Sequence, residues 1–192
     1  VGSYTETVTV AVSDVNEVFQ PQTWQELRTA VLLWASDEAA ALETYGEVNA
    51  WDVSLITNMQ DLFNGVGAFN GNIGAWDVSN VTNMTSMFLG ASSFNQDLNN
   101  WDVSKVTSMH AMFRAATSFN GYISDWDVSG SWRLKQMFDG AISFNQDISG
   151  WDVSSVTNFY EMFKNATSFN QDISDWDVSD ASLMNNMFLN AY

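Results

Sequence analysis

Hydrophobic and polar residues recur through most of this chain with a strict period of 25 residues. The period is marked by the tetrapeptide Trp-Asp-Val-Ser, which begins at Trp51, Trp76, Trp101, Trp126, Trp151 and Trp176. A constant period of this length is typical of one supersecondary unit that is stacked repeatedly along an axis. The spacing therefore predicts a solenoid.

Within each copy, the tryptophan and the valine two residues later predict a short strand. Residues two apart share one face of a strand, so Trp151 and Val153 are expected to point into the core, and Asp152 and Ser154 are expected to point outward. Because every copy has this pattern, we predict a parallel sheet whose open, concave face carries a row of aspartates.

The segment after each strand predicts a helix. In the second copy, Met84, Met87, Phe88 and Ala91 have the spacing i, i+3, i+4, i+7, which is the apolar stripe of an amphipathic helix. The predicted fold class is therefore α/β. The repeats should form a leucine-rich-repeat-like solenoid of six 25-residue strand-helix units with a parallel sheet.

Residues 19–50 precede the repeats and predict an N-terminal helical cap. Thr23 and Glu26 form a capping box at the start of one helix. Ser36 is expected to cap a second helix, and Gly46 is expected to end it. The first repeat has no neighbour on one side, so an atypical segment must cover it.

Residues 1–18 alternate polar and apolar residues and then become acidic, which indicates a strand and a linker. They resemble the end of a cadherin-like or immunoglobulin-like adhesin module. In that family the linker binds calcium, and the resemblance implies Asp14, Asn16 and Glu17 as ligands. The alternative is a polar linker after an edge strand. The expected organisation is the end of a preceding β-module and its linker at 1–18, the cap at 19–50 and six repeats at 51–192, the last one incomplete.

The repeat can be written W-D-V-S-x-V-T-x-M-x-x-M-F-x-x-A-x-x-F-N-x-D-I, and it resembles the BspA-type leucine-rich repeat, also called the DUF285 or mycoplasma-lipoprotein repeat. The resemblance covers residues 51–192. It implies a cell-surface protein involved in adhesion and implies no enzymatic activity. The fourth copy departs from the pattern at Gly130 to Leu134, and we expect its turn to have a different shape.

Charge narrows the choice of partner. Six lysines and arginines face 23 acidic residues, which gives a net charge of −17, so nucleic acid and anionic membrane are poor partners. The absence of cysteine excludes disulfides and thiol chemistry. No apolar run is long enough for a membrane helix, so we expect no direct membrane insertion. The basic residues of repeats three to five, and His110, are expected on a solvated convex helix face.

The aspartate row is the candidate ligand-binding surface, and it consists of Asp52, Asp77, Asp102, Asp127, Asp152 and Asp177. Repulsion along the row must be offset, either by local hydrogen bonds to the following serine or by external cations. We favour the local explanation because the residue never varies. On the same face, Asn100, Asp125 and Asp175 lie at a position that does vary between copies, which is typical of ligand recognition in solenoids.

These observations favour a non-catalytic ligand-binding module of a large extracellular adhesin that binds a protein or peptide on the concave sheet face. The module would be part of a longer multidomain chain, with calcium as a candidate cofactor. The alternatives are a structural spacer with no ligand and a glycan-binding module. An enzyme is disfavoured, because the one histidine has no nucleophile or metal-ligand partner in the pattern.

Overall fold

The computed structural model describes residues 18–191, and its regular helices all precede the repeats. The first helix, α1, spans Trp24–Ser36, and the second, α2, spans Glu38–Tyr45. A single 3₁₀ turn at Val48–Ala50 leads into the first repeat. The helices predicted between residues 19 and 50 are therefore present.

Local hydrogen bonds explain where the two helices begin and end. The Thr23 hydroxyl accepts the Glu26 amide at 3.2 Å, so the predicted N-cap of α1 is confirmed. The predicted cap of α2 is wrong by one residue: Asp37, not Ser36, accepts the Ala40 amide at 3.1 Å. The Ser36 hydroxyl instead donates back to the Leu32 carbonyl at 2.8 Å, inside the last turn of α1.

The predicted parallel sheet and strand-helix repeats are wrong. From residue 51 to residue 191 the chain forms stacked coils of turns and bends without a helix, and its only strand-like pairing is a series of isolated parallel bridges. These bridges join Asn58, Asn83, Ser108, Arg133, Asn158 and Leu183 in order. They lie several residues after the Trp-Asp-Val segments that were predicted to be strands.

The Trp-Asp-Val segment is held by turns within its own coil. The Trp151 amide donates to the Ile148 carbonyl at 3.1 Å, and the Val156 amide donates to the Val153 carbonyl at 2.9 Å. The predicted facing of the side chains is nevertheless correct, because Trp151 and Val153 are buried and Asp152 is exposed. Alternation of buried and exposed residues therefore does not require a sheet here.

The segment predicted to be helical is a series of β-turns that we call the turn ribbon, defined as residues 57–65 of the first coil and their equivalents at 25-residue steps. Alternate amides donate to the next coil, as from Phe63 to the Met87 carbonyl at 2.7 Å. The intervening amides donate three residues back, as from Leu62 to the Met59 carbonyl at 3.2 Å. An α-helix would instead bond every amide four residues back.

The turn ribbon needs left-handed backbone at two positions in each coil. In the first coil these are Asp61, with φ of 58°, and Gly65, with φ of 71°. The apolar stripe of the second copy is fully buried as predicted, at Met84, Met87, Phe88 and Ala91. Consecutive turns bury side chains at intervals of three and four residues, so this spacing did not distinguish them from a helix.

Tryptophans link successive coils through the core. The Trp126 indole N–H donates to the Leu98 carbonyl at 2.8 Å, and the equivalent bonds in the second, third, fifth and sixth coils measure 2.7–3.1 Å. Phenylalanine rings from neighbouring coils stack beside them, such as Phe113 on Phe138 at 5.7 Å. The repeated aromatic residues thus hold each coil in 25-residue register with the next.

Helix α1 takes the place of a preceding coil. In later coils, three carbonyls of the turn ribbon accept amides from the coil before. In the first coil, the equivalent carbonyls accept side-chain donors: the Trp24 indole reaches the Gln60 carbonyl at 3.0 Å, and the Arg28 guanidinium reaches the carbonyls of Leu62 and Asn64. The cap therefore satisfies backbone acceptors as well as covering the core.

The stacked aromatic rings differ in spacing between the turn ribbon and the tryptophan side of the coils. Stacked tryptophan rings have centroids 6.1–6.5 Å apart, whereas Phe63 and its equivalents, which lie within the turn ribbon, are 4.8–5.7 Å apart. The aspartate row lies next to the tryptophans in sequence, and the parallel sheet whose concave face was predicted to carry it does not form.

The fourth coil keeps the common backbone hydrogen bonds despite its different sequence, contrary to the prediction. The Ser131 amide donates to the Val128 carbonyl at 2.9 Å, as the Val81 amide does to the Val78 carbonyl at 2.8 Å in the second coil. Ser131 is fully buried, and its hydroxyl donates to the Val106 carbonyl at 2.5 Å. This bond satisfies a polar group where the second, third and fifth copies have valine.

Candidate ligand-binding surfaces

Each aspartate of the predicted row closes an Asx-turn. In all six coils the aspartate Oδ1 accepts the amide of the serine two residues later at 3.0–3.1 Å. In four coils the serine hydroxyl also donates to Oδ1, at 2.6 Å. The local explanation for the constant aspartate is therefore confirmed.

These hydrogen bonds favour the charged form of Asp52, Asp102, Asp152 and Asp177 by lowering the pKa of each. The serine hydroxyl and then the serine amide lower the pKa of Asp102 and Asp152 below the ordinary aspartate value. For Asp177 the amide is the larger cause, and the charge of Asp152 in the neighbouring coil acts in the opposite direction. The row thus has some mutual repulsion, which the Asx-turns offset.

Asn100, Asp125 and Asp175, the varying positions predicted beside the row, are all exposed. Asp125 is partly engaged in holding coils together, because its amide donates to Asn99 Oδ1 at 2.9 Å and its carboxylate accepts from Asn99 Nδ2 at 2.6 Å. Asn100 and Asp125 occupy equivalent positions of neighbouring coils, whereas Asp175 is two coils beyond Asp125, with Gly150 between them, so the three do not form one cluster.

Metal-binding geometry is absent from the described part of the chain. Within residues 18–191, no group of three or more histidine or acidic side chains could hold an ion. The candidate calcium ligands Asp14, Asn16 and Glu17 lie outside the described residues. A second oxygen-rich row is used by the stack itself: the Oδ1 atoms of Asn70, Asn95, Asn120 and Asn145 each accept the amide of the next asparagine at 2.8–2.9 Å.

The outer surface of the turn ribbon is a candidate that the sequence did not single out. At one outward position the six coils carry Gln60, Thr85, His110, Lys135, Tyr160 and Asn185. The residue just before this position is always apolar and is buried in the first five coils. A variable residue beside a constant buried one is the signal that could have identified this surface.

Positive charge is concentrated on this ribbon. His110 Nδ1 lies 2.9 Å from the Lys135 carbonyl oxygen in the next coil. Burial is the largest cause that lowers the pKa of His110; the contact with the Lys135 carbonyl opposes it, and the nearby charges of Arg133, Lys135 and Arg114 add to the lowering. The prediction that these residues lie on a helix face is wrong, because the segment is not a helix.

Some of these cations already have partners, and others do not. Arg114 pairs with Asp139 at 3.1 Å, and Lys164 pairs with Glu161 at 2.8 Å. No other ion pair forms among residues 18–191, so Arg133 and Lys135 have no carboxylate partner there. Lys135 Nζ lies 5.1 Å from the Tyr160 ring centroid, and the Arg133 guanidinium lies 5.7 Å from the ring of Trp132, which is 49% exposed.

A cleft of about 960 Å³ lies at the junction of the cap and the first coil and is lined by Phe19, Tyr45 and Trp51, among others. Gln20 Nε2 donates to Asp52 Oδ2 at 2.5 Å at its edge. This bond ties the first aspartate of the row to the cap.

Comparison with known proteins places the repeats in a family. Residues 32–132 and 98–192 match the family model described as "Mycoplasma protein of unknown function, DUF285". The chain belongs to the DUF285 family. No curated protein and no solved structure matches it. The DUF285 match extends from the second half of α1 through the stacked coils, and its description gives no activity. No helix within residues 18–191 is long and apolar enough to cross a lipid bilayer.

Proposed function

We propose that this DUF285 chain is a non-catalytic binding module of a large extracellular adhesin and that it recognises a protein or peptide segment. The site we favour is the turn ribbon rather than the predicted concave sheet face, because that sheet does not form. Residues that differ between coils provide the recognition, and the repeated residues provide the framework.

One observation carries the proposal: the constant outward residues are used by the stack, whereas the variable ones project from a rigid, hydrogen-bonded ribbon. The aspartates close Asx-turns and the asparagines bond the next coil. His110, Lys135 and Tyr160 lie side by side in successive coils with no such constant role. Stacked repeats generally bind partners by varying surface positions on an unchanged framework.

Two alternatives make different demands on the surface. A spacer without a ligand needs no variable surface. The spacer hypothesis therefore does not explain why cationic and aromatic side chains cluster on the turn ribbon. A glycan-binding module would use exposed aromatic rings for stacking, and Trp132 and Tyr122 are two such rings. They lie at different places in the coil, so a protein or peptide is the better fit.

The test is a selection of displayed random peptides on the purified chain, followed by affinity measurements with two double variants. Thr85→Arg with Tyr160→Ala changes the ribbon on both sides of the cations without removing any of them. Asp102→Asn with Asp127→Asn changes the aspartate row and keeps an oxygen that accepts the serine amide. Circular dichroism verifies that both variants fold.

We expect the ribbon variant to weaken binding of the selected peptides at least tenfold and the aspartate variant to leave it within twofold. The opposite result would place the site on the aspartate row, as first predicted from the sequence. Enrichment of no peptide, together with binding on a glycan array, would favour the glycan alternative, and no binding in either assay would favour the spacer.

A further inference from the structure

We infer that His110, Arg133 and Lys135 form a carboxylate-binding site on the turn ribbon, and that it recognises a short acidic segment of a partner protein. This inference rests on the proposed function and specifies its ligand chemistry. It concerns the third and fourth coils, which carry these three side chains, and the fifth coil, whose Tyr160 lies beside Lys135.

Arg133 occupies a position where three other coils have an asparagine that stabilises the local turn. In three other coils the asparagine at this position accepts the amide two residues later: Asn58, Asn83 and Asn158 do so at 3.0 Å. An arginine side chain has no acceptor, so the fourth coil loses this turn bond, which contributes about 0.5–1.5 kcal/mol. Stability alone therefore does not explain Arg133.

The hydrogen bonding of Arg133 is also incomplete. Its Nε is buried and has no acceptor within the described residues, and the guanidinium is paired with no carboxylate there. A buried donor without an acceptor is costly, and native structures rarely retain one without a reason. A planar carboxylate that accepts the remaining N–H groups of the guanidinium would offset part of this cost through a bidentate pair.

The other two groups are placed to support a bound carboxylate. Lys135 is two residues from Arg133, on the outward position of the ribbon, and its ammonium is held above the Tyr160 ring rather than against a carboxylate. His110 is tied to the Lys135 carbonyl and feels the charges of Arg133 and Lys135. Arg114 contributes less net charge, because Asp139 faces it. The three groups therefore lie on one short stretch of the ribbon, where the charges of Arg133 and Lys135 act on His110.

The size of the cluster favours a short acidic peptide segment over a polyanion. The chain has a net charge of −17, and its unpaired positive charge at this ribbon is limited to Arg133 and Lys135, apart from a protonated His110. A polymer with a charge on every unit would extend onto the acidic surface and be repelled. A segment with one or two carboxylates needs only the local patch. The exposed Trp132 ring and Tyr160 add the aromatic contacts that are common where proteins bind each other.

The test uses the single histidine of the chain as a reporter. The ring protons of His110 are followed by NMR as a function of pH, with and without a millimolar acetylated and amidated Gly-Glu-Gly-Glu peptide. A bound carboxylate favours the imidazolium, so we expect the peptide to raise the pKa of His110 by about 0.5 or more. The neutral peptide Gly-Gln-Gly-Gln is the matched control and should leave the pKa unchanged.

Variants separate specific binding from general attraction. Arg133→Asn restores the residue found in three other coils, so it should fold well and abolish the peptide-induced change. Lys105→Gln removes one positive charge from the third coil, outside the turn ribbon, and should retain the response to the peptide. Because removing Arg133 itself raises the pKa of His110, each variant is compared with and without peptide.

The inference is overturned if Arg133→Asn responds like the unmodified chain, if both peptides act alike, or if a heparin tetrasaccharide displaces the acidic peptide and binds more tightly. Its failure can be distinguished from that of the proposed function. Selected peptides that lack acidic residues but still lose binding in the Thr85→Arg, Tyr160→Ala variant would support the ribbon as a site and refute the carboxylate assignment.

Discussion

Ala115 occupies a backbone position that favours glycine. Its φ is +56°, in the left-handed region, and its side chain is exposed. The other five coils have glycine or asparagine at this position, at Gly65, Gly90, Gly140, Asn165 and Asn190. Left-handed backbone costs a residue with a Cβ about 1–2 kcal/mol. Ala115 therefore carries a local strain that no visible side-chain contact offsets.

Replacing Ala115 with glycine should stabilise the fold. The gain of about 1–2 kcal/mol is reduced by about 0.4–1 kcal/mol, because glycine gives the unfolded chain more freedom. We expect Ala115→Gly to raise the free energy of unfolding by about 0.5–1 kcal/mol. For a domain of this size that corresponds to a rise in Tm of about 1–4 °C.

The assay is urea denaturation followed by tryptophan fluorescence, with the m-value required to stay constant. Gly140→Ala is the reciprocal control: φ is +73° and a Cβ would meet nothing closer than 3.7 Å, so only the backbone strain is tested, and it should destabilise by a similar amount. Gly150→Ala, where a Cβ meets open space and φ is not positive, should have no cost. If Ala115→Gly is neutral and Gly140→Ala costs nothing, the left-handed turn assignment is refuted.

Three further predictions concern a close approach of two coils, the contact of the cap with the first coil, and one Asx-turn. Gly121→Gln installs the residue found in three other copies, yet its Cβ would overlap the Gln96 backbone carbonyl, so we expect it to destabilise by more than about 2 kcal/mol in thermal unfolding. Arg28→Ala should lower the free energy of unfolding in urea by about 2–4 kcal/mol, because two carbonyls of the first coil lose a charged donor. An equal loss of stability in Arg28→Lys would show that the bidentate geometry of the guanidinium matters. Unchanged stability in Arg28→Ala would contradict the capping role. Ser104→Ala should raise the pKa of Asp102 in a carboxyl NMR titration. Since the folded pKa of Asp102 is lowered, its stabilising contribution is present above the unfolded value of about 3.9 and is lost as pH falls through the folded value, so the variant should lose less stability on acidification.

The functional surface was only partly accessible from the sequence. The Asx-turns of the aspartate row followed from a constant Asp-x-Ser pattern, because that hydrogen bond is local. The shared position of His110 and Lys135 followed from the 25-residue period. The buried Nε of Arg133 and its lack of a carboxylate partner did not follow, because they depend on which atoms of successive coils are close in space.

The sequence by itself determined the 25-residue register, the buried positions and the two cap helices. Identical apolar residues at a constant spacing can all be buried only when successive copies stack in register, and a side chain such as Thr23 caps a helix through local contacts. Only the tertiary structure decided how the backbone amides of the repeats are satisfied. A burial interval of three and four residues fits a helix and a series of β-turns equally well. The choice between them was made by the neighbouring coil, whose carbonyls accept the alternate amides and hold residues such as Asp61 and Gly65 in the left-handed conformation.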